Sequence, residues 1–205
     1  MTLWYLARAA GFVALLSATV TVALGAIGSS ARPTGRSVDT RHLDRRVIAQ
    51  LVHRSAAVLT LAMLGLHTVL LVTDSYVDVS ISGALVPFTA GYRALAVGLG
   101  TLSLYGFAVV SLTGAARGRL AASPRLSRAW RAVHLSAYGA WVLAMGHGVL
   151  AGTDTAQTWA LALYGGCAAL VGAALTTRVL AVRRHARSPL PAARSWQALT
   201  SGGLR

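Results

Sequence analysis

Apolar residues fall along this chain in five long runs, separated by short connectors that hold most of the charge. The runs cover Leu3–Ile27, Val47–Val72, Ala94–Thr113, Ala129–Ala151 and Thr158–Thr177. Each is close to the roughly 20 residues that a helix needs to cross about 30 Å of hydrocarbon. The pattern predicts an all-α protein, a polytopic membrane helix bundle with five transmembrane helices. The second and fourth runs are the least apolar, because ionisable side chains interrupt them, and those interruptions carry the chemistry.

Composition supports the same class. Of 205 residues, 55% are hydrophobic and 12% charged, about half the charge of an ordinary soluble domain. Disorder is excluded, since disordered chains are poor in apolar residues. All 19 basic residues are Arg and all 5 acidic ones are Asp, a net charge of +14. Nucleic-acid binding needs a solvated basic face, whereas these Arg residues cluster between apolar runs. Cys167 is the single cysteine and lies within an apolar run, which leaves no disulfide framework and no Cys-based metal site in one chain.

The connectors set an orientation. The first, near Ser29–Arg46, holds Arg32, Arg36, Arg41, Arg45 and Arg46, and the third, near Gly114–Arg128, holds Arg117, Arg119, Arg125 and Arg128. The second holds only Arg93 with Asp74 and Asp78, and the fourth holds Asp154 without an Arg. The positive-inside rule places the first and third connectors and the C-terminal tail in the cytoplasm, with the N-terminus outside. Only Arg8 precedes the main part of the first run and five Arg follow it, the charge order of a retained helix rather than a cleaved signal peptide. Residues 1–182 read as the membrane bundle of a multi-pass protein of the cell membrane. Residues 183–205, with Pro189 and Pro191, read as a basic, disordered cytoplasmic tail. No glycine-rich nucleotide fingerprint joins a strand to a helix, so flavin (FMN or FAD) or nicotinamide chemistry is expected on a partner chain.

The six histidines divide into two groups. His42 and His185 lie in Arg-rich segments and read as solvated. The other four lie in the weak runs: His53 and His67 are 14 residues apart on the second, and His134 and His147 are 13 apart on the fourth. Ionisable groups within a bilayer are costly and mark function. Fourteen residues of helix rise about 21 Å through nearly four turns, which puts His53 and His67 on one face. The second and fourth helices run in the same direction. His53 and His134 therefore share a cytoplasmic level, and His67 and His147 an outer level. One imidazole from each helix at each level suits two stacked haems, each with two axial histidines. The 13-residue spacing leaves His147 roughly 140° from the face of His134 on an ideal helix. It calls for a local distortion, for which Gly139 and Gly146 are candidates.

Other residues have two readings each. Gly65, Gly139, Gly146 and Gly148 make room for a broad cofactor or pack helices closely. Arg54 and Arg131 pair with haem propionates or anchor the helices at the interface. Tyr92 and Arg93 contact the outer cofactor or an acceptor, or belong to an interfacial belt. Met63 and Met145 are packing residues in preference to iron ligands.

The histidine pattern resembles the ferric reductase-like transmembrane domain, shared with NADPH oxidases and the haem-binding membrane subunit of bacterial methionine sulfoxide reductase. The segments Pro87-Phe88-Thr89-Ala90-Gly91-Tyr92-Arg93 and His147-Gly148-Val149-Leu150-Ala151-Gly152-Thr153-Asp154-Thr155 are similar to bacterial members, and the resemblance covers about Val47–Leu180. It implies bis-histidine b-type haems that pass single electrons across the membrane, and a 13-residue spacing compatible with ligation. The chain departs from the oxidases and classical ferric reductases in ending without a flavin and nicotinamide domain, and in five runs where six spans are common. The leading expectation is a di-haem membrane cytochrome, the electron-transfer part of an oxidoreductase. Its donor would be a cytoplasmic flavoprotein reductase or a quinol, and its acceptor an outer-side reductase subunit or a small molecule. Alternatives are a metal or proton transporter using intramembrane histidines, and a structural subunit whose histidines bond neighbouring helices.

The predicted orientation is tested by cysteine scanning in a Cys167→Ala background. A cysteine at Thr153 should react with a membrane-impermeant maleimide in intact cells. One at Gly118 should react only after permeabilisation, and the opposite result would invert the topology.

Overall fold

A computed structural model describes residues 2–28, 40–75, 77, 79–120 and 123–187. The described residues are helical throughout, joined by turns. They form α1 (Thr2–Gly28), α2 (Thr40–Thr73), the short α3 (Ile81–Leu85), α4 (Ala94–Ala115), the short α5 (Arg117–Leu120), α6 (Pro124–Leu135), α7 (Ala137–Ala151) and α8 (Thr158–Arg187).

Four of these helices, α1, α2, α4 and α8, are long and apolar enough to cross a membrane. The fifth predicted span, Ala129–Ala151, is not one helix. It is divided at Ser136 between α6 and α7. The reason lies in the sequence of α6, which carries Arg125, Arg128 and Arg131 along a 12-residue helix capped by the Ser123 side chain and opened by Pro124. Ser136 then turns its hydroxyl back onto the Val133 carbonyl at 2.6 Å, a local bond that competes with the helical ladder. The distortion expected at Gly139 or Gly146 therefore occurs earlier, and α7 passes through both glycines unbroken. At the other end, α8 continues to Arg187, so the first residues of the expected tail are helical. Residues 188–205 and the side chains of His42 and His185 lie outside the described residues.

Helix α1 is the hub. It packs along α2, α7 and α8, while α4 packs along α6 and α7. Small buried residues on α1 (Ala7, Ala10, Ala14, Ala18 and Ala26) let neighbouring backbones approach closely, which is how helices associate where lipid removes the hydrophobic drive. The main core joins Leu15, Ala18 and Val22 of α1 to Phe107 of α4, Trp141 of α7 and Tyr164, Cys167 and Val171 of α8. Met145 packs against this core, as a packing residue should. In contrast, α2 exposes Val47, Ile48, Leu51, Val58 and Val69, an apolar face of the kind that lipid covers.

One buried polar bond ties this core together. The Trp141 indole N–H donates to Thr19 Oγ1 at 2.9 Å, and that hydroxyl donates to the Leu15 carbonyl. Thr19→Val should orphan the indole in a dry core. Interhelical bonds in membrane proteins average about 0.6 kcal/mol and reach about 1.7, so melting in detergent should fall by a few degrees. Thr176→Val, which loses only a bond to the Gly172 carbonyl of its own helix, should melt as the parent does.

Candidate functional site: two facing histidine pairs

The four intramembrane histidines meet in the expected pairs. His53 and His134 hold their ring centroids 6.2 Å apart with planes inclined by 57°. His67 and His147 are 6.1 Å apart with planes inclined by 79°. A metal–imidazole nitrogen bond is about 2 Å, so two imidazoles gripping one ion from opposite sides keep their ring centres roughly 6 Å apart. Both pairs have that separation.

The rings are aimed by backbone carbonyls. His67 Nδ1–H donates to the Ala7 carbonyl at 2.6 Å, His53 Nδ1–H to that of Thr21 at 2.9 Å, and His147 Nδ1–H to that of Ala96 at 2.8 Å. A carbonyl can only accept, so the neutral ring carries its proton on Nδ1 and keeps the Nε2 lone pair for a ligand. His134 differs: its Nδ1 is buried without a hydrogen bond. The Val110 carbonyl of α4 interacts with this ring but falls short of a well-formed hydrogen bond to Nδ1.

These carbonyls are reachable because of glycines absent from the expected set. In a helix, the carbonyl of residue i points at residue i+4, so a side chain there would cover it. Residue i+4 is Gly11 after Ala7, Gly25 after Thr21, Gly100 after Ala96 and Gly114 after Val110. A Cβ on Gly11 would stand 3.0 Å from His67 Nδ1, on Gly25 3.3 Å from His53 Cε1, on Gly100 2.7 Å from His147 Nδ1, and on Gly114 3.6 Å from His134 Cε1. Both glycine pairs are 14 residues apart, matching His53 and His67. That shared spacing, on α1 and on α4, was the signal available in the sequence. The glycines nearest the histidines in sequence have other surroundings. A Cβ at Gly65 or Gly139 meets nothing, at Gly146 it meets Leu99, and at Gly148 it meets the Tyr164 hydroxyl.

A cavity opens at the His67–His147 pair between α1, α2, α4 and α7. His67 and His147 line it with apolar walls from Leu64, Leu104 and Ala144, and Trp4, Arg8, Tyr92 and Asp154 also line it. Arg8, read from the sequence only as a flanking charge, forms an ion pair with Asp154 and lies over the rings of Trp4 and Tyr5. Arg93 caps α4 in a left-handed conformation and donates to the Leu150 carbonyl at the end of α7, 2.7 Å away. It also lies over the Tyr92 ring. Arg54 is exposed, and Arg131 donates to Ser127 Oγ on its own helix. At the His53–His134 pair the neighbour of His134 is Trp130, with Arg117 over the indole. Met63 is partly buried on α2. Among the described residues no group of three or more His, Cys, Asp or Glu comes together as a metal site.

The chain matches no protein-family model, no curated protein and no solved structure.

Glycine contact sets the order of substitution effects. Ala in place of an exposed helical Gly gains about 0.5–1 kcal/mol, so Gly65→Ala should melt slightly higher than the parent. Gly114→Ala should be close to neutral. Gly100→Ala, at 2.7 Å from His147, should melt several degrees lower, and thermal denaturation of the purified variants checks this order.

Proposed function

We propose that the protein is a b-type di-haem membrane cytochrome that carries electrons across the membrane, in the manner of the ferric reductase-like domains it resembles. The observation that carries this reading is the two imidazole pairs, each with its rings about one bis-histidine metal site apart. A porphyrin supplies four of its iron's ligands and leaves two for the protein. Two protein nitrogens per level is the number found here. His53 and His134 would hold one haem, and His67 and His147 the other.

When bound, a haem supplies an iron that accepts and releases one electron at a time. The chain's residues do the rest. The Ala7, Thr21 and Ala96 carbonyls fix the tautomer and plane of three ligands, and a ligand that donates to a carbonyl is more basic. The apolar walls from Leu64, Leu104 and Ala144 would lower the dielectric around the outer site. The ion pair of Arg8 with Asp154 and the bond from Arg93 to α7 close the outer end of the bundle. The two levels stand about 21 Å apart along α2, one towards each membrane surface if α1, α2, α4, the broken α6–α7 unit and α8 each cross. The electron would enter at the cytoplasmic pair from a separate flavoprotein reductase or a quinol. It would leave from the outer pair to a reductase subunit or a small acceptor. Arg54 and Arg131 are exposed, a position that suits a haem propionate as well as interfacial anchoring.

Purified protein should show a Soret band and a reduced b-type α-band, with two haems per chain. His67→Ala or His147→Ala should remove about half the haem, and His53→Ala the other half. Zinc or copper bound without a Soret band would instead favour the transporter reading.

A further inference from the structure

We infer that Trp130 is the positioning residue for His134, doing by ring stacking what a backbone carbonyl does for each of the other three histidines. The inference rests on the reading of the pairs as haem ligands.

Two independent observations lead to it. The first is the gap in the carbonyl pattern. His53, His67 and His147 each donate from Nδ1 to a carbonyl of the helix alongside, while the buried His134 Nδ1 has no such bond. A ligand ring without that bond is held less firmly about its Cβ–Cγ bond. The second is what lies against the ring. The Trp130 indole stacks on the His134 imidazole with centroids 5.0 Å apart and planes inclined by only 22°. Positions 130 and 134 are one helical turn apart on the same face of α6, so the contact is built into the helix.

The indole is itself held in place. Its Nε1–H donates to the Thr113 carbonyl at 3.1 Å, and the Arg117 guanidinium lies 5.2 Å from the ring. Thr113 directly precedes Gly114, the glycine beside which His134 lies. The tryptophan thus spans from α4 to the ligand at the place where the carbonyl bond is missing.

The two modes of support differ in chemistry. A carbonyl fixes the ring and also draws on its Nδ1 proton, which makes Nε2 a stronger donor to iron. A stacked indole fixes the plane without that pull. The inner site therefore has one carbonyl-supported and one stack-supported ligand, whereas both outer ligands are carbonyl-supported.

The test uses the full-length, haem-loaded protein with three readings: haem per chain, the low-spin ferric EPR signals, and a redox titration. His53→Ala and His67→Ala assign the signals to the inner and outer sites. In Trp130→Leu the inner EPR signal should shift and broaden and the inner midpoint potential should move, with the outer haem unchanged. Trp130→Phe, which can still stack, should restore both inner values towards the parent. Should Trp130→Leu lose the inner haem altogether, Trp130→Phe should regain it. The inference is overturned if Trp130→Leu leaves the inner signal and potential as they were, if both haems shift alike, or if Phe gives no rescue. A parent protein with no haem overturns the functional reading, and this inference with it.

Discussion

The hydrogen bond from a histidine Nδ1 to a carbonyl of the neighbouring helix is the constraint on which the rest of this structure depends. A helix normally consumes its own carbonyls, and an interior polar ring without a partner is costly in a bilayer. The protein meets both conditions at once by placing glycine four residues after the accepting carbonyl. The ring then lies against bare backbone and shares the carbonyl. With the proton committed to Nδ1, the opposite nitrogen is presented to the gap between helices. The repetition of this device on α1 and α4 makes the hairpin of α1 with α2 and the hairpin of α4 with α6–α7 two versions of one unit.

The two versions are not equal, and the difference follows from one residue of spacing. Fourteen residues keep His53 and His67 in register with Gly11 and Gly25 along a straight helix. Thirteen residues between His134 and His147 cannot match Gly100 and Gly114 in the same way. The break at Ser136 absorbs part of the mismatch by letting α6 turn relative to α7. His134 still faces its partner, yet it misses the carbonyl that would complete the pattern, and the aromatic ring one turn earlier occupies its face. An apparent irregularity in the sequence thus becomes a chemical asymmetry between the two levels.

Much of this was legible in the chain. Hydropathy located the helices, because burial in lipid demands long apolar runs, and the intramembrane histidines stood out because nothing else in those runs is ionisable in pairs. The levels at which they meet followed from helical rise and direction alone. The broken helix was less legible, since Ala129–Ala151 is apolar enough on average to hide the competition from Ser136. The four glycines beside the rings were missed because 21 glycines are spread through the sequence, and composition does not separate these four from the rest. They lie on other helices than the histidines they face, so proximity in sequence does not reveal them. Arg8 and Trp130 were missed for a similar reason: their roles come from contacts with α7's following loop and with His134, which depend on tertiary packing or on a stacking geometry that composition does not reveal.

The claim that the paired imidazoles are two ends of one ligand set is open to direct inspection by an experimental density map of the purified protein. The account predicts a flat, macrocycle-sized feature between His67 and His147 and a second between His53 and His134, each with a metal peak centred between the two Nε2 atoms. Rings joined only through water, or a metal held by other residues away from these gaps, would contradict it.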